Sequence, residues 1–274
     1  MLDKFDYAEP VCPLCDGKEF YYPDADAPLG RIPVGRILQK VDSFFDKNDY
    51  AEAGRLLRYW KQEAVDLKDK SGELAIESEL VGFYRKQKDK ENGLNSVNRA
   101  LELVNELNQN ELASGATVYI NCATAYKEFN MPSEAMPLYN KAEQIYNKVL
   151  QKDDARFGGL YNNMAITLAD LGNLEGAQKA YFKALDVMKK EINGENECAI
   201  TYINLAHMYD SFNMKDKIDE CMKKALELLK SENLEHNGYY AFVIEKCAPS
   251  FKYFGDNETC EQLIKEAESI YARA

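Results

Sequence analysis

The sequence predicts an all-α solenoid of about six antiparallel helix pairs. Three observations lead there. First, residues 161–185 read as two amphipathic helices about a turn at Leu171-Gly172-Asn173. Tyr161, Met164, Ala165 and Leu168 recur at the i, i+3, i+4, i+7 spacing of one buried helix face, and Leu174, Ala177, Tyr181, Ala184 and Leu185 line a second such face. Second, this unit returns at a nearly constant period. The mid-helix small or β-branched residues Val41, Val81, Ala123, Ala165, Ala206 and Ala248 are spaced by 40, 42, 42, 41 and 42 residues. Third, asparagine, glycine or proline punctuates most of the joins.

Taken in order, residues 33–47 and 50–68 form the first expected pair, with Val41, Phe44, Ala53, Leu57 and Trp60 inward about Asn48-Asp49. Residues 72–88 and 91–108 carry Leu80, Val81, Tyr84, Gly93, Val97 and Ala100. Residues 112–129 and 133–152 carry Tyr119, Cys122, Ala123, Tyr126, Ala135, Tyr139 and Ala142 about Asn130-Met131-Pro132. In the pair 154–171 and 174–192, Gly172 and Asn173 should supply left-handed backbone that closes one helix and opens the next. Residues 196–212 and 215–231 repeat the stripe with Tyr202, Leu205, Ala206, Tyr209, Ile218, Met222 and Ala225. Residues 236–254 and 257–273 close the series with Cys247, Ala248, Phe251, Cys260, Ile264 and Ala267. Pro249 should kink or break the first helix of that pair, because it lacks the N–H of the helical ladder.

Residues 1–30 stand outside the repeat, which occupies residues 31–274. They hold four of the eight prolines and the aromatic run Phe20-Tyr21-Tyr22. They read as an irregular segment shielding apolar surface, either as a cap on the first pair or by turning into a groove, since solenoid ends need cover. The stripe Leu263, Ile264, Ala267, Ile270 and Tyr271 of the last helix is either wholly used against its neighbour or covered by a second copy, as a homodimer through a solenoid end.

The pattern aromatic-x2-apolar-small-x2-large, then Ala-x3-aromatic, resembles the tetratricopeptide repeat (TPR). The likeness is strongest in the middle three units. The period exceeds the family's usual length of about 34 residues, and the added turns are expected mostly in the second helices, for example residues 135–150. Elongated repeats of this kind resemble those of kinesin light chains and of some bacterial peptide-sensing regulators. Asn162-Asn163-Met164-Ala165 carries most of the kinesin-light-chain likeness. The resemblance implies a right-handed superhelix whose first helices line a concave face, with a protein or peptide ligand in that groove.

Under that geometry the inward residues are those just off the buried stripe. Two before the small residue lie Asn121, Asn163 and Asn204. A carboxamide both donates and accepts, so a column of them can hold an extended backbone by paired hydrogen bonds. The resemblance implies this role; the alternative is bonding within the helix or to the neighbouring repeat. Arg85, Lys86 and Lys127 make one end basic, while Asp170 and Asp210, with His207 between, make a later stretch acidic. Ile120, Ile166 and Ile203 add apolar spots.

Other chemistries find little footing. The net charge of -12 opposes general nucleic-acid binding. No apolar run approaches the ~18 residues of a membrane span. Seven cysteines, mostly on apolar faces, suit thiols in a reducing compartment, and a cytoplasmic protein is expected. Cys12-Pro13-Leu14-Cys15 is half of a zinc knuckle without its second pair, so a metal site there is disfavoured. No phosphate loop, nucleophile elbow or zincin motif occurs, and neither an enzyme nor a cofactor is expected. The leading function is a protein- or peptide-binding scaffold. The alternatives are a self-assembling structural protein with its groove filled by residues 1–30, and a peptide-signal sensor.

Overall fold

The computed structural model describes residues 28–273, so Cys12, Cys15 and most of the segment 1–30 lie outside the described residues. The chain divides into two compact units, Met1–Ile145 and Tyr146–Ala274. In the first, α1 (Val34–Phe45), α2 (Tyr50–Asp66), α3 (Lys70–Gln87), α4 (Lys90–Glu106) and α5 (Ala113–Glu128) follow one another, and α6 (Pro132–Val149) begins there and ends in the second. The second unit continues with α7 (Arg156–Asp170), α8 (Leu174–Met188), α9 (Gly194–Ser211), α10 (Ile218–Leu229), α11 (Gly238–Tyr253) and α12 (Asn257–Tyr271). Within each unit, successive helices pack on each other and first helices also touch: α1 on α3 and α3 on α5, then α7 on α9 and α9 on α11. That is the layering of a TPR-type solenoid, as the sequence predicts.

The joins follow a common chemistry. Asn48, Asn130, Gly172, Asn213 and Gly255 all take positive φ and end the first helix of a pair. Lys68, after the second helix α2, and Lys88, after α3, also take positive φ, of 54° and 56°, positions at which lysine announces nothing. An acidic or amide residue then caps the next helix. Asp49 accepts the Glu52 N–H at 3.1 Å, Asp89 that of Asn92 at 3.2 Å, and Asp256 that of Thr259 at 2.9 Å. Each such cap is worth about 1 kcal/mol. Asn173 departs from its expected role. Its φ is −89°, and it caps α8 through a 2.9 Å bond from the Gly176 N–H, leaving the left-handed turn to Gly172 alone.

The core is the predicted stripe. Val41, Val81, Ala123, Ala165, Ala206 and Ala248 are all buried, and the helix-crossing alanines lose all accessible surface. Tyr139 and Tyr181 fill the aromatic places of second helices. A further device recurs: Lys141 lies over Tyr119, Lys183 over Tyr161 and Lys224 over Tyr202, at 4.3, 4.6 and 5.5 Å from the ring centroids. Each ammonium thereby ties a second helix to its own first helix, for roughly 0.5–1 kcal/mol.

Two expectations need correction. Helix α11 runs unbroken through Pro249, which is exposed, so water can satisfy the Glu245 carbonyl left without its N–H. The additional repeat length goes to second helices only in part: α6 has 18 residues against 16 for α5 and α2 has 17 against 12 for α1, whereas α9 has 18 against 12 for α10, and α7 and α8 have 15 each. At the front, Leu29 N–H donates to the Leu67 carbonyl at 2.7 Å, and Ile32 N–H to Asp69 at 3.0 Å. Residues 29–32 are thus pinned across the α2–α3 turn. In the same unit Arg99 of α4 holds the buried Glu73 of α3 by two bonds of 2.7 and 3.1 Å.

Candidate functional site

The first helices of the second unit present the most developed face. It is held together by polar bonds from each first helix to the next. Asn162 of α7 is buried and donates to Thr201 Oγ1 of α9 at 2.7 Å, and that hydroxyl in turn donates to the Glu197 carbonyl at 2.8 Å. Asn204 reaches back to Asn162 Oδ1 over a long 3.4 Å. Between α9 and α11, His207 Nε2 meets Ser250 Oγ at 2.9 Å, Tyr253 donates to Asp210 at 2.8 Å, and Tyr239 donates to Glu197.

On this face the predicted residues occupy distinct positions. Asn163 is half-buried, and its carboxamide makes no hydrogen bond among the described residues. Asn204, also half-buried, spends one donor on the neighbouring first helix. His207 packs against Tyr253 and Phe254, ring centroids 5.4 and 4.9 Å away. That partial burial pushes its pKa down, while the Asp210 carboxylate pulls the other way. Asp210 keeps its second oxygen beyond the Tyr253 bond. Asp170 is exposed at the end of α7 and acts electrostatically on Tyr181 of α8. Asn204, His207 and Asp210 thus follow one another along α9, while Asn163 and Asp170 belong to α7.

The first unit carries the others. Asn121 of α5 is exposed, without a side-chain bond among the described residues. Lys127 is paired with Glu128 at 2.9 Å. Arg85 stands half-buried in the last turn of α3, where a cation complements the helix dipole. Lys86 beside it lies over the Phe45 ring at 5.1 Å. The Glu79 carboxyl, two residues before Val81, is raised in pKa by burial and by nearby Asp42, with Lys86 opposing.

Two features escape the sequence reading. Asn162, not Asn163, is the structural asparagine that locks α7 to α9. Tyr239, Phe242 and Tyr253 of α11 are 49%, 51% and 65% exposed, while Phe251, at the aromatic place of the repeat, is buried. Their i, i+3, i+14 spacing on one helix is the signal that marks them as a surface row. Among the described residues, no group of three or more His, Cys, Asp or Glu side chains could hold a metal ion, and no helix is long and apolar enough to cross a membrane.

Stacked antiparallel pairs, with small residues at the crossings and an open face of first helices, define a helical-repeat protein of the TPR kind. Residues 157–231 match the family model of the tetratricopeptide repeat, so the repeat is present over that stretch. Among solved structures, the "nearly identical TPR-like repeats" of a kinesin light chain candidate from Podosopora anserina align at 15% identity. They cover 71% of this chain and 94% of theirs, with a TM-score of 0.61. BtubC (BKLC) from P. vanneervenii aligns at 20% identity over 83% of this chain and 91% of its own, with a TM-score of 0.54. The quorum sensor NprR in its apo form, from B. thuringiensis, aligns at 17% identity over 93% of this chain and 68% of its own, with a TM-score of 0.54. NprR in complex with its cognate peptide NprX aligns at 16% identity over 88% and 67%, with a TM-score of 0.56. Comparison with curated proteins finds no match.

Proposed function

We propose that this chain is a protein-interaction scaffold that holds an extended peptide segment against its first helices. The observation that carries this reading is the surface of α7, α9 and α11. There Asn163 and Asn204 lie in register, one carboxamide unbonded among the described residues and the other only weakly engaged, beside Ile166, His207 and Asp210. Carboxamides so placed can each donate to and accept from a peptide unit, which grips a backbone without reading its side chains. Neighbouring charges then select the sequence. On the first unit the same role falls to Asn121, with Arg85 and Lys127 as the charged neighbours. The structure of NprR with a cognate peptide supports the reading by analogy of fold. The five described cysteines are free, buried thiols, which favours a reducing compartment such as the cytoplasm. No catalytic step is assigned.

The test is selection from a random peptide display library on the full chain, followed by titration of enriched peptides. Replacing Asn163 and Asn204 together by alanine should weaken them roughly tenfold or more, at about 1 kcal/mol per lost hydrogen bond, with the helical circular-dichroism signal intact. Equal affinity for variant and wild type would remove the assigned role.

A further inference from the structure

Aromatic rings on the first helices of this protein are repeatedly covered by the chain's own cations. Tyr119, Tyr161, Tyr202 and Tyr209 each carry a lysine ammonium within 4.3 to 5.5 Å of the ring centroid. Tyr253 and Tyr239 on α11 are built differently. Tyr253 is 65% exposed and its hydroxyl is anchored to the Asp210 carboxylate at 2.8 Å; Tyr239 is 49% exposed and anchored likewise to Glu197. No lysine or arginine among the described residues lies over either ring. Lys246, between them on α11, instead lies 5.9 Å from the Phe242 centroid.

An exposed ring held edge-on to a carboxylate satisfies both demands of a desolvated cation. The ring face attracts the charge through its quadrupole, and the carboxylate accepts its N–H donors. The anchoring bond fixes the Tyr253 ring before any ligand arrives, and His207, bonded to Ser250 and packed on the same ring, closes one side. Asp210 lies six residues past Asn204 on α9, about 9 Å along the axis, so a backbone gripped at Asn204 would bring a side chain within its reach.

We propose that Tyr253 and Asp210, with His207 as a wall, form a seat for an arginine or lysine side chain of the bound peptide, and that Tyr239 with Glu197 repeats this construction near the start of α11. The ligand class is therefore a basic peptide segment. This rests on the peptide-holding reading given above and adds its side-chain preference.

The test uses bead-displayed twelve-residue glycine–serine peptides that differ at one central position: arginine, its neutral isostere citrulline, or glutamate. Retention of the full chain is measured for wild type, Asp210→Asn, Tyr253→Ala and Asp186→Asn. The last removes an exposed carboxylate of α8 and controls for diffuse attraction by an acidic protein. Wild type should prefer arginine to citrulline by about fivefold, within the range of one cation–π contact plus a charged hydrogen bond. Made in a Glu197→Gln background that disables the second seat, Asp210→Asn and Tyr253→Ala should each reduce that preference toward unity, with Asp186→Asn unchanged. Absence of the preference in wild type would overturn the seat, as would its survival in both variants or its equal loss in the control. If citrulline peptides bind and lose retention in the Asn163→Ala/Asn204→Ala variant while no arginine preference exists, the backbone grip stands and the seat falls. If no peptide of any kind is retained, the grip itself falls.

Discussion

Replacing Asn162 by alanine isolates the bond that aligns α7 with α9. The carboxamide is buried and donates to Thr201 Oγ1 at 2.7 Å, across 39 residues of sequence. Its loss removes a buried donor and acceptor together and leaves a carboxamide-sized gap between the helices. Thr201 retains its 2.8 Å bond to the Glu197 carbonyl, so it is not orphaned. The net cost should then be about 2 kcal/mol, roughly 1 for the hydrogen bond and roughly 1 for the gap. For a chain of this size that corresponds to a fall in Tm of roughly 4–8 °C. Asn163→Ala, one residue away but half-exposed and unbonded among the described residues, should change Tm by less than about 2 °C. Thermal unfolding followed by circular dichroism measures both. In a double-mutant cycle, Asn162→Ala and Thr201→Val should be non-additive by about 1 kcal/mol. Equal shifts for Asn162→Ala and Asn163→Ala, or strict additivity in the cycle, would refute the assignment of the structural role to Asn162.

Three further outcomes follow from the same contacts. Burial lowers the His207 pKa, so the stability carried by its neutral ring is whole above about pH 6.5, the unfolded value, and is lost as pH falls through the lower folded value; the drop in Tm from pH 7 to pH 5 should therefore shrink in His207→Gln. Arg99→Ala strands the buried Glu73 carboxylate and should cost roughly 1–2 kcal/mol, discounted because Arg99 is partly exposed; pairing it with Glu73→Gln should recover most of that in a urea titration. Burial pushes the thiols of Cys122 and Cys247 up to about 12, and those of Cys198 and Cys221 to about 11. Mass spectrometry after alkylation at pH 8 should accordingly find these four unmodified in the native protein and modified in denaturant.

The repeat was legible because its causes are local. A buried stripe at helical spacing and an asparagine or glycine at each join are properties of neighbouring residues, and the joins fall within a few residues of expectation. What escaped depends on partners distant in sequence. Asn162 and Asn163 look alike along the chain, and only the arrival of Thr201 on the next first helix decides which is buried. Lys68 and Lys88 take left-handed backbone because Asp69 and Asp89 begin the following helices, not because lysine prefers it. Tyr239 and Tyr253 stand outside the buried stripe of their repeat, and only the structure shows that α9 meets α11 through their hydroxyls and leaves the rings outside. The offset from the small residue picks out Asn163, Asn204, His207 and Asp210 as candidates, since that offset sets the helix face. It does not give the bonds they make, because those bonds cross between first helices.

The central claim is that Asn163 and Asn204 hold the ligand by its backbone. It is tested most directly by methylating, one at a time, the backbone nitrogens of a peptide enriched on the full chain. Methylation removes an N–H donor and leaves the side chains unchanged. The account predicts that one or two positions lose roughly tenfold in affinity for wild type, the worth of about one hydrogen bond, and lose almost nothing further for Asn163→Ala/Asn204→Ala. Equal losses in both proteins, or none in wild type, would show that the peptide backbone is held elsewhere.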